Sequence, residues 1–128
     1  MLQSVLIVGI GGFLGSIGRY LISYLIKQQW PFPFPFGTIT VNLLGSLLIG
    51  IIMALSLTEN IGQQMRLLLA TGFCGGFTTF STFSFEFFSL LQKEHSGYAF
   101  LYAGASLMLG LLFVWLGFSL GKFINGTL

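Results

Sequence analysis

The run MRLLLATGFCGGFTTFSTFSFEFFSLL, residues 65–91, decides how this chain must be read. It is apolar and long enough to cross a bilayer, for which a helix needs roughly 20 residues. Yet it holds Gly72, Gly75 and Gly76, followed by six hydroxyl residues at Thr78, Thr79, Ser81, Thr82, Ser84 and Ser89. Glycine weakens a helix, and hydroxyls offer freed backbone groups a partner, so together they predict a break near the middle of the run. Irregular backbone at membrane depth is tolerated only where it faces protein or a water-filled cavity. The segment is therefore the first pointer to a site. The competing reading is a glycine-rich helix packed closely on its neighbours, because small-residue interfaces are common in bilayers.

Three further apolar segments surround this one, at about residues 2–26, 38–57 and 98–124. Residues 27–37 contain PFPFPF, whose three prolines cannot continue a helix. Lipid admits only helices or closed barrels, and none of the runs shows strand alternation. The expected fold is an all-α integral membrane protein of four transmembrane helices, one membrane domain over residues 1–128 with its third helix broken. Composition agrees. Only eight of 128 residues are charged, or 6%, against ~25% in soluble domains. Hydrophobic residues make up 55% and mean hydropathy is +0.93. A soluble enzyme is excluded, and a net charge of +2 provides no basic stripe for nucleic acid. The 15 Phe and 4 Tyr exclude disorder. The first segment is too long for a signal-peptide core and lacks a basic flank, so it reads as a span. A single cysteine, Cys74, permits no intrachain disulfide.

Four spans put both termini and the second loop on one side, with Arg66 and Lys122, and leave Lys27 and Lys93 on the other. Two against two gives no positive-inside bias, and counting Arg19 makes it only three against two. A chain so balanced can insert both ways, which predicts an antiparallel dimer about an axis in the membrane plane.

Several residues carry two readings. Gly9, Gly11, Gly12 and Gly15 resemble a dinucleotide fingerprint, but no strand precedes them, and their spacing suits close helix packing. Arg19 either snorkels to the interface or attracts anions in an aqueous vestibule. Glu86 is the only carboxylate within a span, a structural group, a pathway-facing acceptor or a proton site. Thr38, Asn42 and Ser46 stack at four-residue intervals, as interhelical glue or a pathway wall. Phe80, Phe83 and Phe87 form a stripe beside Thr79, Thr82, Glu86 and Ser89. Such rings are core or lipid-facing filler, or else they turn partly positive edges toward a small anion. No nucleophile–base constellation and no metal-spaced His/Cys cluster is present, His95 lying in a polar loop. An enzyme is not expected.

The stretch Gly72-Phe-Cys-Gly-Gly-Phe-Thr-Thr-Phe-Ser-Thr-Phe83, with Ser84 and Glu86 after it, resembles the signature of the Fluc/CrcB fluoride channels. Gly37-Thr-Ile-Thr-Val-Asn42, the pair Gly18-Arg19 and Tyr102-Ala-Gly-Ala-Ser106 are similar too, so the likeness spans nearly the whole chain. It implies a dual-topology dimer in a bacterial cell membrane, conducting fluoride outward passively through two pores and lowering its toxicity. It also implies a structural, non-transported sodium ion at the dimer centre, held by the backbone carbonyls of Gly75 and Thr78. Phe80 and Phe83 would line the pore, with Asn42 on the pathway and Thr79, Ser81, Thr82 and Tyr102 on a polar track. Thr38, Ser106 and Glu86 would join that pathway, and Arg19 would stand in the vestibule. Partners would be fluoride, lipid and a second copy or a paralogous chain in antiparallel orientation. Some relatives carry a serine where Gly110 stands, so either another group or water must substitute here or conduction is altered. The alternatives are a proton-coupled small multidrug-type exporter, with Glu86 as its only coupling candidate, and a non-transporting assembly subunit.

Overall fold

A computed structural model describes residues 1–31 and 33–126. Among them every regular element is helical. Helix α1 spans Leu2–Gln29 and α2 spans Phe36–Leu57. We denote by α3 the helical run 63–77, by α4 Phe80–Gln92 and by α5 Ser96–Ile124. Helices α1, α2 and α5 are each long and apolar enough to cross a membrane alone. The remaining apolar run is divided between α3 and α4, as the glycines and hydroxyls of residues 72–84 predict.

The division has a local cause. Gln63–Arg66 begins as an ordinary α-helix, then Leu67–Cys74 widens into a π-helix and Gly75–Phe77 closes the last turn. A π-helix of this length is uncommon, and no local pattern in the residues predicts it. Thr78 and Thr79 then leave helical geometry altogether, with ψ of 159° and 124°. The Thr79 hydroxyl oxygen accepts from the Thr82 N–H at 3.2 Å and so caps the start of α4. The Thr78 hydroxyl donates back to the Cys74 carbonyl at 2.8 Å. Both threonines thus terminate helices through their own side chains.

Two close helix pairs organise the rest, α1 along α3 and α2 along α5. Glycine sets both distances. A Cβ on Gly15 would stand 2.9 Å from the Phe77 nitrogen, and one on Gly72 would stand 2.9 Å from the Val8 carbonyl oxygen. In the other pair, a Cβ on Gly117 would lie 2.9 Å from the Leu47 carbonyl carbon. Gly11 and Gly15 therefore act as packing residues, while Gly9 meets nothing within 4 Å, and the dinucleotide reading falls away. Helix α2 is central, burying Thr38, Val41, Gly45 and Ile52. Near the proline loop, Phe34 packs edge-on against Tyr102, 5.6 Å between centroids, in a cluster with Ile39, Leu90 and Ala99. Outward faces are apolar instead, with Leu6, Phe13, Leu111 and Trp115 all exposed. That inversion is stable only when the surrounding solvent is hydrocarbon.

The glycine seam gives a direct test. Gly117→Ala should lower the stability of the purified protein by about 1–3 kcal/mol, the usual effect of overpacking. Gly97→Ala, where an added Cβ meets nothing within 4 Å, should leave it unchanged or slightly raised. Thermal unfolding in detergent compares the two, and equal midpoints would show that the α2–α5 contact is not set by Gly117.

Candidate ion pathway

The break between α3 and α4 leaves backbone groups without their helical partners, and the neighbouring helices replace them. In an uninterrupted helix the Thr79 N–H would donate to Gly75. Instead it donates to Asn42 Oδ1 at 2.8 Å, while Asn42 Nδ2 donates to the Thr79 carbonyl at 3.1 Å. One side-chain amide from α2 thus satisfies both faces of the exposed peptide unit. The Gly76 carbonyl, which Phe80 would otherwise serve, accepts from Arg19 Nε at 3.0 Å. Arg19 is therefore tied to the break from α1, which the snorkelling reading does not describe. With the Thr79 N–H on Asn42 and the Thr82 N–H on Thr79, the carbonyls of Gly75 and Thr78 are released from the helical ladder.

Around this point lies a cavity of about 530 Å³. Asn42 and Ser46 of α2, Gly75, Thr78, Thr79, Phe80 and Phe83 of the broken run, and Ser106 of α5 all line it. The rings of Phe80 and Phe83 lie 5.8 Å apart. Phe80 remains 80% exposed in the single chain, so one wall is open. Phe87, from the same stripe, faces elsewhere and packs edge-on against Phe100 at 5.7 Å.

A second cavity, about 560 Å³, opens beneath the proline loop and is lined by Lys27, Thr38, Thr82, Glu86, Ser89 and Lys93 among others. Glu86 is firmly held. Thr38 donates to one carboxylate oxygen at 2.7 Å and Tyr102 to the other at 3.1 Å. Tyr102 is fully buried, and its ring lies 4.9 Å from that of Phe83. Tyr102 therefore bridges the aromatic pair at one cavity and the carboxylate at the other. The hydroxyls of Thr79, Thr82 and Ser81 are clustered, with Thr79 Oγ1 3.1 Å from Thr82 Oγ1 and 3.4 Å from Ser81 Oγ.

Most residues singled out from the sequence thus meet at two cavities joined through Thr79, Thr82, Phe83 and Tyr102. Ser81 and the buried Tyr102 line neither cavity, and Arg19 reaches the break rather than either lining. The sequence reading assigned no lining role to Cys74, Lys27 or Lys93. Nothing in their local pattern marks them, because they are brought in by the packing of separate helices.

These features define a multi-pass helical membrane protein with polar groups and aromatic rings gathered at a broken helix. Residues 6–118 match the model for the CrcB-like protein family (Camphor Resistance, CrcB), and the chain belongs to that family. The fluoride-specific ion channel FluC of Prosthecochloris aestuarii is 48% identical over 121 residues, 94% of each chain. That of Chlorobium chlorochromatii is 46% identical over 127 residues, 95% of each. A Thermus thermophilus protein of the same name is 45% identical over 125 residues, 98% of this chain and all of the relative.

The amide clasp at the break can be tested by itself. Asn42→Ala removes both bonds to the Thr79 peptide and leaves its partly buried groups unpaired, so stability should fall by about 1–3 kcal/mol. Asn42→Asp restores only the acceptor and should not recover the loss. Unchanged unfolding temperatures in both variants would mean that the break is held by other contacts.

Proposed function

We propose that this chain forms a channel through which fluoride leaves the cell passively. The observation that carries the reading is the cavity at the helix break, where Phe80, Phe83 and uncharged donors converge, in a chain 45–48% identical to channels named for fluoride. Fluoride is small and strongly hydrated, so a pore must replace its water with donors and positive ring edges. Hydroxyls and phenyl edges do this without lodging a fixed charge in the membrane. The pathway would run between the two cavities along Thr79, Ser81, Thr82 and Tyr102, with Ser106, Asn42, Thr38 and Glu86 beside it. A weak acid enters cells as neutral HF and dissociates in a more alkaline cytoplasm. A negative-inside potential then drives the anion out, at about 2.3 kcal/mol per charge per 100 mV. Neither a coupling ion nor an enzymatic step is needed.

The same reading makes the working unit an antiparallel dimer in the plasma membrane. The balanced basic residues support it, and so does Phe80, whose exposed ring needs a second chain to wall the cavity. A sodium ion fits the released carbonyls of Gly75 and Thr78, since hard cations take oxygen donors. Held there, the ion would neutralise carbonyl dipoles at the break and tie the two chains together, without itself being transported. Arg19, already tied to Gly76, would add positive potential at a vestibule. The exporter alternative finds no support: the relatives described above are named as channels, and both Glu86 oxygens already accept hydrogen bonds.

Liposomes containing only the purified protein should release fluoride far faster than chloride when a potassium diffusion potential is imposed. Phe80→Ile and Phe83→Ile should each reduce that release while leaving the dimer assembled. Replacing sodium on both sides by N-methylglucamine should reduce it as well. Absence of release from the wild type would defeat the homomeric channel and leave a paralogous partner to be tested. Full activity without sodium would remove the ion from the proposal. Separately, a cysteine tag at one terminus should label from both faces of intact cells, and one-sided labelling would exclude dual topology.

A further inference from the structure

Three hydroxyls near or within the membrane helices are satisfied by a carbonyl four residues back. Ser56 donates to Ile52 at 2.7 Å, Thr78 to Cys74 at 2.8 Å and Ser84 to Phe80 at 3.0 Å. Ser46 of α2 and Ser106 of α5 do otherwise. Ser106 Oγ is buried without a partner, and Ser46 Oγ makes no hydrogen bond among the described residues. Both line the cavity that holds Phe80 and Phe83. Asn42, the remaining strong polar group there, already has its amide nitrogen and oxygen committed to Thr79. Two uncommitted O–H donors on facing helices therefore look into one space.

The packing around Ser46 keeps its hydroxyl available. Gly110 lies one turn beyond Ser106 on α5, and a Cβ built on it would stand 3.8 Å from Ser46 Oγ. With no side chain at position 110, nothing from that residue competes for the hydroxyl or crowds it. Ser106 Oγ, buried without a partner, is unfavourable unless something that enters the cavity accepts its hydrogen bond, and the partly buried Ser46 opens on the same space. In an apolar, aromatic-walled space a small anion is the strongest such acceptor.

We infer that Ser46 donates a hydrogen bond to the permeating anion, from α2 and opposite Ser106, in the space that Gly110 leaves open. The inference rests on the fluoride-channel reading and adds to it a donor from a different helix. It also explains why a glycine at position 110 is compatible with conduction, since the hydroxyl arrives from across the helix contact.

The test relocates the hydroxyl. Ser46→Ala should slow initial fluoride efflux from liposomes roughly tenfold, as expected for losing one hydrogen bond to an ion. Ser46→Thr, which keeps the hydroxyl on the same carbon, should retain most of the rate. Ser46→Ala combined with Gly110→Ser supplies a hydroxyl from the facing helix and should recover most of the loss. Size-exclusion chromatography of each variant checks assembly, and Ser46→Cys replaces the alanine variant if that one fails to assemble. Wild-type rates in Ser46→Ala, or a double variant as slow as Ser46→Ala, would overturn the role of Ser46 while leaving the channel intact. No fluoride release from wild-type protein would overturn both, so the two failures are distinguishable.

Discussion

Everything at the centre of this molecule depends on the clasp between Asn42 and the Thr79 peptide. A helix interrupted inside hydrocarbon strands N–H and C=O groups that water cannot reach, each costing several kcal/mol. Asn42 meets the Thr79 N–H at 2.8 Å and its carbonyl at 3.1 Å with one amide. Arg19 takes the Gly76 carbonyl from the other side. With those groups served from α2 and α1, the chain can hold Thr78 and Thr79 extended in the midst of the bundle. The cavity, the released carbonyls of Gly75 and Thr78 and the direction of α4 all follow from that local solution.

The second organising constraint is distance between helices. Hydrophobic attraction contributes little between segments already dissolved in lipid, so association relies on contact and on hydrogen bonds. Gly15 and Gly72 let α1 and α3 approach at backbone separation, and Gly117 does the same for α2 and α5. The α1–α3 approach carries Arg19 within hydrogen-bonding reach of the break, and Gly45, where an added Cβ would stand 3.4 Å from the Phe77 ring, lets α2 bring Asn42 to it. Packing and polar satisfaction are therefore coupled. The glycine seams hold the scaffold that lets the broken helix exist, and the broken helix in turn creates the polar interior.

The two polar centres differ in character. In the cavity at the break, the lining donors are neutral and rings stand beside them. Beneath the proline loop, Glu86 is fixed by Thr38 and Tyr102 with Lys27 and Lys93 on the same cavity wall. Tyr102 belongs to both, its hydroxyl on Glu86 and its ring against Phe83. A carboxylate already receiving two hydrogen bonds repels an anion less effectively than a bare one, since its lone pairs are occupied by donors.

Much of this was legible in the residues alone. The scarcity of charge and the four apolar runs required helices in a membrane, because lipid leaves no other way to satisfy the backbone. Gly75, Gly76 and the threonines after them announced a break, since those residue types end helices by conformation and capping. The four-residue spacing of Thr38, Asn42 and Ser46 foretold a polar face but left open whether it was glue or wall. The tertiary structure bonds Asn42 to the break and places Ser46 on the lining of the cavity. It alone revealed the π-helix of Leu67–Cys74, the attachment of Arg19 to Gly76 and the two donors on Glu86. Each of these involves partners from different helices, or a backbone geometry set by them. Local sequence specifies which groups need partners; only the packed bundle determines which groups provide them.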